Sequence, residues 1–193
     1  MYEQAYKDIG KGLRLVFFGE ILVDVAALFS WPVLTLTGLV LTLVGLSTAG
    51  RGDSGYRKAF SVTILNLAVT FLGMILAGLS LAFMPVLGGL FTATVVAASA
   101  FFSFLSVYYV CTTSAALLAE RETALSMRAE NLWKIFGVCI AVTTVCVLVM
   151  QLPFMAAMVL AIGVSFIANV VQFAAGVLYM LFLYKASEVF LHW

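Results

Sequence analysis

Charge is what this chain of 193 residues has least of. Asp, Glu, Lys and Arg together make up 10% of it, whereas a soluble globular domain carries about 25%. That shortage excludes a water-facing surface of ordinary extent. With 64% hydrophobic residues and a mean hydropathy of +1.16, the composition is that of an integral membrane protein, and one membrane domain uses the whole length. Proline is scarcer still, limited to Pro32, Pro85 and Pro153. The three cysteines, Cys111, Cys139 and Cys146, form no C-x-x-C pair and match no metal-site spacing, so they read as small apolar packing residues. The sole histidine, His192, is terminal. Neither HExxH, nor a P-loop, nor a dinucleotide-binding fingerprint occurs, so no metal or other cofactor is expected. A formal net charge of +1 provides no field to attract nucleic acid.

What is present is a pattern. All ten Lys and Arg residues fall in four short polar stretches, which separate three long apolar blocks, and each block is interrupted once by proline. The simplest geometry that satisfies it is an all-α polytopic membrane protein of six transmembrane helices, arranged as three hairpins with Pro-containing outer turns. Residues 1–193 then form a single transmembrane domain. Tyr2, Tyr6, Ile9 and Leu13 recur at helical spacing, so residues 1–12 are expected to be a short amphipathic segment at the interface. The helices are expected at about 13–29, 31–49, 59–83, 85–118, 135–151 and 153–184. Ser30 before Trp31-Pro32 reads as an N-cap with proline in the first turn. The first apolar run contains Glu20 and Asp24 and no A-x-A site follows it, so it reads as a retained helix rather than a signal peptide. Basic residues in short loops stay on the cytoplasmic side. Both termini are therefore expected inside, in a plasma (cytoplasmic) membrane, with Tyr108, Tyr109, Tyr179 and Tyr184 in the inner aromatic belt.

A faint internal repeat favours three hairpins. Lys58-Ala-Phe-Ser-Val-Thr-Ile64 matches Lys134-Ile-Phe-Gly-Val-Cys-Ile140, and Arg14 with Phe17 takes the same place one residue out of register. Trp31-Pro-Val-Leu34 matches Met84-Pro-Val-Leu87, with Leu152-Pro-Phe-Met155 a looser third copy. Such copies would be parallel, related by an axis along the membrane normal. Gly73/Ala77, Ala93/Ala97 and Ala157/Ala161 are small-xxx-small pairs that allow close helix approach.

Glu20 and Asp24 are the principal candidates for chemistry. They lie four apart on the first helix, hence on one face. At 1.5 Å per residue they sit about 10 Å and 16 Å in from Leu13. An acid at mid-span costs about 2.5–3.5 kcal/mol on insertion scales. Apart from Arg14 at the very start of the first, no Lys or Arg lies within the six spans to offset it. The acids are then protonated, face a hydrated cavity, or hold a cation; the structural alternative is a neutral pair bonded to neighbouring helices. Asn66 and Thr70 on the third helix fall level with Glu20, and Ser165, Asn169 and Gln172 share a face of the sixth, with Asn169 near the depth of Asp24. Together they would supply oxygen ligands for Na⁺ or a hydrogen-bonding cage for a small polar solute. Taken singly, each is the kind of group that ties helices together.

Three readings compete. The first is a small transporter or channel, or its membrane subunit, coupled to H⁺ or Na⁺ through the two acids. The second is a non-transporting binding or scaffold subunit that docks a partner through residues 51–58 and 119–134; six helices in about 190 residues is the size of the substrate-binding components of energy-coupling-factor vitamin transporters, without their motifs. The third is a structural or lipid-interacting protein, self-associated or not. An enzyme is not expected. Gly50-Arg51-Gly52-Asp53 has the G-x-G-D spacing of intramembrane aspartyl proteases, but Arg51 and the charged loop around it do not suit that chemistry.

Overall fold

The computed structural model describes residues 2–29, 31–83, 85–120, 122–150 and 155–192. Among these residues the chain forms six helices and no strand: α1 (Tyr2–Phe29), α2 (Pro32–Ala49), α3 (Ser54–Phe83), α4 (Pro85–Leu118), α5 (Thr123–Val149) and α6 (Met155–Leu191). Stretches of α3 (Ser54–Ser80), α4 (Phe91–Leu118), α5 (Thr123–Val147) and α6 (Met158–Leu191) are long and apolar enough to cross a membrane, as expected of an integral membrane protein. In α2 the apolar part, Val33–Ala49, is shorter, and α1 is broken up chemically by Arg14, Glu20 and Asp24.

Helix bounds differ from the sequence pattern mainly at one end of the bundle. The expected interfacial segment 1–12 is not separate, because α1 starts at Tyr2 and runs unbroken through it. Ile9 and Leu13 are buried there, and Tyr6 stacks on Phe190 of α6 at 6.1 Å. α3 begins at Ser54 rather than 59, α5 at Thr123 rather than 135, and α6 continues to Leu191 rather than 184. Polar residues end an apolar run without ending a helix. These turns project past the apolar stretch: the polar stretch 119–134, which reads as helical in sequence, joins α5 from Thr123 on, and the connection 51–58 shrinks to a few residues. Trp31, in extended conformation, takes the N-cap position ahead of Pro32 with no side-chain cap bond. The expected cap Ser30 and the third turn proline Pro153 lie outside the described residues.

Helices consecutive in the chain are neighbours, and α1 packs back on α6 to close a ring. The tightest pairs are α1–α2, α3–α4 and α5–α6, and the α2–α3 contact is the sparsest of the ring. The α1–α2 seam is made of glycine. A Cβ added to Gly12 would stand 2.5 Å from the Gly45 carbonyl oxygen, and one on Gly19 would stand 2.7 Å from that of Gly38. These crossings repeat every seven residues on both helices, and buried Ala26 extends the row on α1. The same seven-residue step runs through buried Leu125, Leu132, Cys139 and Cys146 on α5, and through Ala161, Ala168, Ala175 and Phe182 on α6. A 3.5-residue period of small side chains brings helix backbones close at a shallow crossing angle.

The core sits at the end that carries the basic connections. The apolar members of the largest fully buried side chains all belong to it, among them Tyr56, Phe190, Ile9, Leu13, Leu46 and Leu183. Phe136 is buried within this cluster, while Phe17 and Phe60, its counterparts in the faint repeat, pack on its edge. Tyr179, assigned to an aromatic belt by position, is instead a core residue against Phe136, ring centroids 6.0 Å apart. Toward the proline turns the buried hydrophobic residues are small (Ala26, Ala77, Ala93, Cys146 and Ala161), and large ones such as Val33, Leu79 and Leu160 are exposed. Among the described residues, the large buried side chains gather at the basic end.

Candidate functional site

One turn beyond this core, the ring encloses a cavity of about 500 Å³ to which all six helices contribute. Its floor is the top of the core: Val16, Leu46, Val110, Phe136 and Tyr179. Above the floor the walls turn polar. Glu20 and Asp24 enter from α1 and Thr42 from α2, Thr63 and Asn66 from α3, Ser103 and Ser106 from α4, and Asn169 and Gln172 from α6. The helical period explains the change of character. On α1 the positions that bury Ile9, Leu13 and Val16 continue, a turn further on, to Glu20 and Asp24.

Of the seven residues singled out from sequence, Glu20, Asp24, Asn66, Asn169 and Gln172 line this one cavity. Thr70 and Ser165 do not. Thr70 lies a turn higher, where its hydroxyl donates to Ser99 Oγ at 3.0 Å. Ser165 lies beyond the wall and receives the Asn169 amide at 3.4 Å. The Thr42 hydroxyl donates to Glu20 Oε1 at 3.5 Å. That bond is long and weak, which leaves most of the carboxylate's acceptor capacity facing the cavity.

Much of the polar wall was not singled out from sequence. Thr63, Asn66 and Thr70 on α3 meet Ser106, Ser103 and Ser99 on α4 rung by rung, in antiparallel register. Thr63 Oγ1 and Ser106 Oγ lie 2.8 Å apart. Asn66 donates to Ser103 at 2.9 Å and accepts from Ser99 at 3.0 Å. The α4 serines are spaced i, i+4, i+7, so they form a stripe on one helical face, and that spacing was visible in the sequence. Asn66 is thereby a fixed group: its amide is oriented by α4 and its position does not depend on a ligand.

Chemically the cavity is rich in acceptors. It holds two carboxylates, the carboxamides of Asn66, Asn169 and Gln172, and several hydroxyls, and neither Lys nor Arg lines it. Such a lining suits protons, a hard cation with oxygen ligands, or a cationic or hydrogen-bonding small solute. Among the described residues no group of three or more His, Cys, Asp or Glu side chains converges. The G-x-G-D aspartate, Asp53, is far from this site in role: its Oδ1 accepts the Gly55 backbone N–H at 2.7 Å, shaping the start of α3. Comparison with family models, curated proteins and solved structures finds no match for this chain, so its function is argued from the geometry.

Proposed function

We propose that the protein is a multi-pass membrane transporter or channel for a small solute or ion, or the membrane subunit of one, coupled to H⁺ or Na⁺ through Glu20 and Asp24. The observation that carries this reading is the convergence of both acids with Asn66, Asn169 and Gln172 on one cavity lined by all six helices. Intramembrane carboxylates are costly, and they persist where a pathway uses them. In this reading all six helices span a plasma membrane as three hairpins, with the basic connections and both termini on the cytoplasmic side. The packed core then closes the cytoplasmic end, and the cavity faces away from it. A scaffold or binding subunit served from the cytoplasm would instead need its cavity open at the basic end, where the large side chains are buried.

The test is thermal stability of the detergent-purified protein across pH and a panel of cations, beside Asp24→Asn and Glu20→Gln. A ligand of the native state at 100 times its Kd adds about 2.7 kcal/mol of stability. The expected result is a shift specific to one cation or to protons that disappears in the variants. If wild type and variants respond alike to every ion and pH, the acids are neutral structural groups and the coupling role is lost.

A further inference from the structure

A second hollow, of about 440 Å³, lies on the outside of the bundle between α5 and α6, at the basic end. Its composition is ordered along its length. Arg128 of α5 and Lys185 of α6 lie toward its basic end, with Leu125 beyond Arg128 and Asn131 just inside it. Buried Leu132 and Phe182 form its base, and Leu181, Ile135 and Leu178, all exposed, carry its apolar walls away from the cations along the helices. The helices are antiparallel, and the step from Arg128 to Ile135 is the same seven residues as that from Lys185 to Leu178, about 10 Å at 1.5 Å per residue. Two cations are thus level with one another at the head of two apolar walls of equal length. No acidic residue lines the groove. Arg128 and Lys185 are both exposed, and among the described residues the one ion pair is Lys7 with Glu3, so neither groove cation is neutralised by a carboxylate.

We propose that this groove binds one anionic phospholipid of the surrounding bilayer, its phosphate on Arg128 and Lys185 and an acyl chain along Leu132, Ile135, Leu178 and Leu181. Paired unneutralised cations at a membrane interface attract anionic headgroups, and basic pockets between helices on that side hold them specifically. The guanidinium of Arg128 matches a phosphate with two parallel N–H donors, and Lys185 adds a point charge. A free anion uses the two cations alone; the apolar walls leading away from them are explained by a molecule with a tail. The proposal rests on the membrane reading of the bundle and is independent of transport through the central cavity.

The experiment is native mass spectrometry of the purified full chain with phosphatidylglycerol and with phosphatidylcholine of the same acyl chains. Phosphatidylglycerol is expected to persist as a one-to-one adduct under conditions that strip phosphatidylcholine. Each groove cation removed, by Arg128→Gln or Lys185→Gln, is expected to weaken that adduct about fivefold. Leu178→Trp, which fills the apolar wall and leaves both charges, is expected to weaken it as well. Lys134→Gln is the control, since Lys134 lies over the Trp133 ring at 5.7 Å and outside the groove; it is expected to change nothing. Equal retention of the two lipids by the wild type overturns the proposal without recourse to any variant. So does competition by inorganic phosphate as effective as that by phosphatidylglycerol, loss of affinity in Lys134→Gln equal to that in Arg128→Gln, or a lipid-free dimer whose formation excludes the adduct.

Discussion

Gly19→Ala adds one methyl group to α1, and the structure assigns it a large effect. The new Cβ would lie 2.7 Å from the Gly38 carbonyl oxygen and 2.7 Å from the Thr42 backbone nitrogen. Neither atom is the end of a side chain, so no rotamer change relieves the clash. Ordinary contact begins at 3.4 Å, and α2 must therefore back away by about 0.7 Å along a seam closed at both glycine crossings, an overpacking that costs about 1–3 kcal/mol. For a chain of this length that is a fall in Tm of about 2–12 °C. Gly163→Ala on α6 is the internal control. Nothing lies within 4 Å of a Cβ built there, and removing a helical glycine is favourable by up to about 1 kcal/mol. Thermal unfolding of the two variants in one detergent is the assay. If Gly19→Ala melts with Gly163→Ala, the α1–α2 backbones are not in contact and the account of that hairpin is wrong.

Two further outcomes follow from the same geometry. Tyr56 and Ser114 share a fully buried 2.7 Å hydrogen bond at the basic end; Tyr56→Phe strands the serine hydroxyl and is expected to cost about 1–3 kcal/mol, and Tyr56→Phe with Ser114→Ala to cost less than the sum of the two single changes, measured as a double-mutant cycle. At the N-terminus Lys7 sits 2.5 Å from Glu3 and holds its carboxyl below the usual 4.5, first through their hydrogen bond and then through charge. A depressed carboxyl stabilises above its unfolded value and loses that contribution as pH falls through the lowered folded value, so the Glu3 titration midpoint read by NMR is expected below 4.5 and returned toward it by Lys7→Gln. A midpoint at or above 4.5 in the wild type removes the pair.

That Pro32 and Pro85 open helices was legible because proline placement is a local signal, and the tightest helix pairs each lie within one apolar block. Helix ends at the basic side were not legible. There Tyr6, Ile9 and Phe190 pack on one another outside the apolar stretch, a tertiary contact that no run of charges in residues 1–12 or 119–134 reveals. The carboxylates and Asn66 stood out because polar groups in apolar runs are rare, but the serines of α4 did not, since a single Ser in an apolar helix draws no attention until its i, i+4, i+7 partners are counted. The heptad rows of Gly and Ala were equally present in the sequence. Four-residue pairs such as Gly73/Ala77 do not reveal them, because these seams repeat at seven.

The position of the cavity follows from ring geometry and residue size. Packed helices lie about 8–10 Å apart, and in a regular ring of six each axis is as far from the centre as from its neighbour. The centre is therefore as wide as an absent helix and must be filled by inward side chains or left open. At the basic end aromatic residues fill it: Tyr56, Phe136, Tyr179 and Phe182 all belong to the core. One turn on, the positions facing the centre are Glu20, Asn66, Ser103 and Gly176, and a Cβ built on Gly176 meets nothing within 4 Å. Small and polar groups cannot span that width, so the ring stays hollow there. The hairpin seams oppose collapse, because α1–α2 is already at glycine contact and α3–α4 is held in register by its three rungs. Two carboxylates thus line a space that apolar packing does not close.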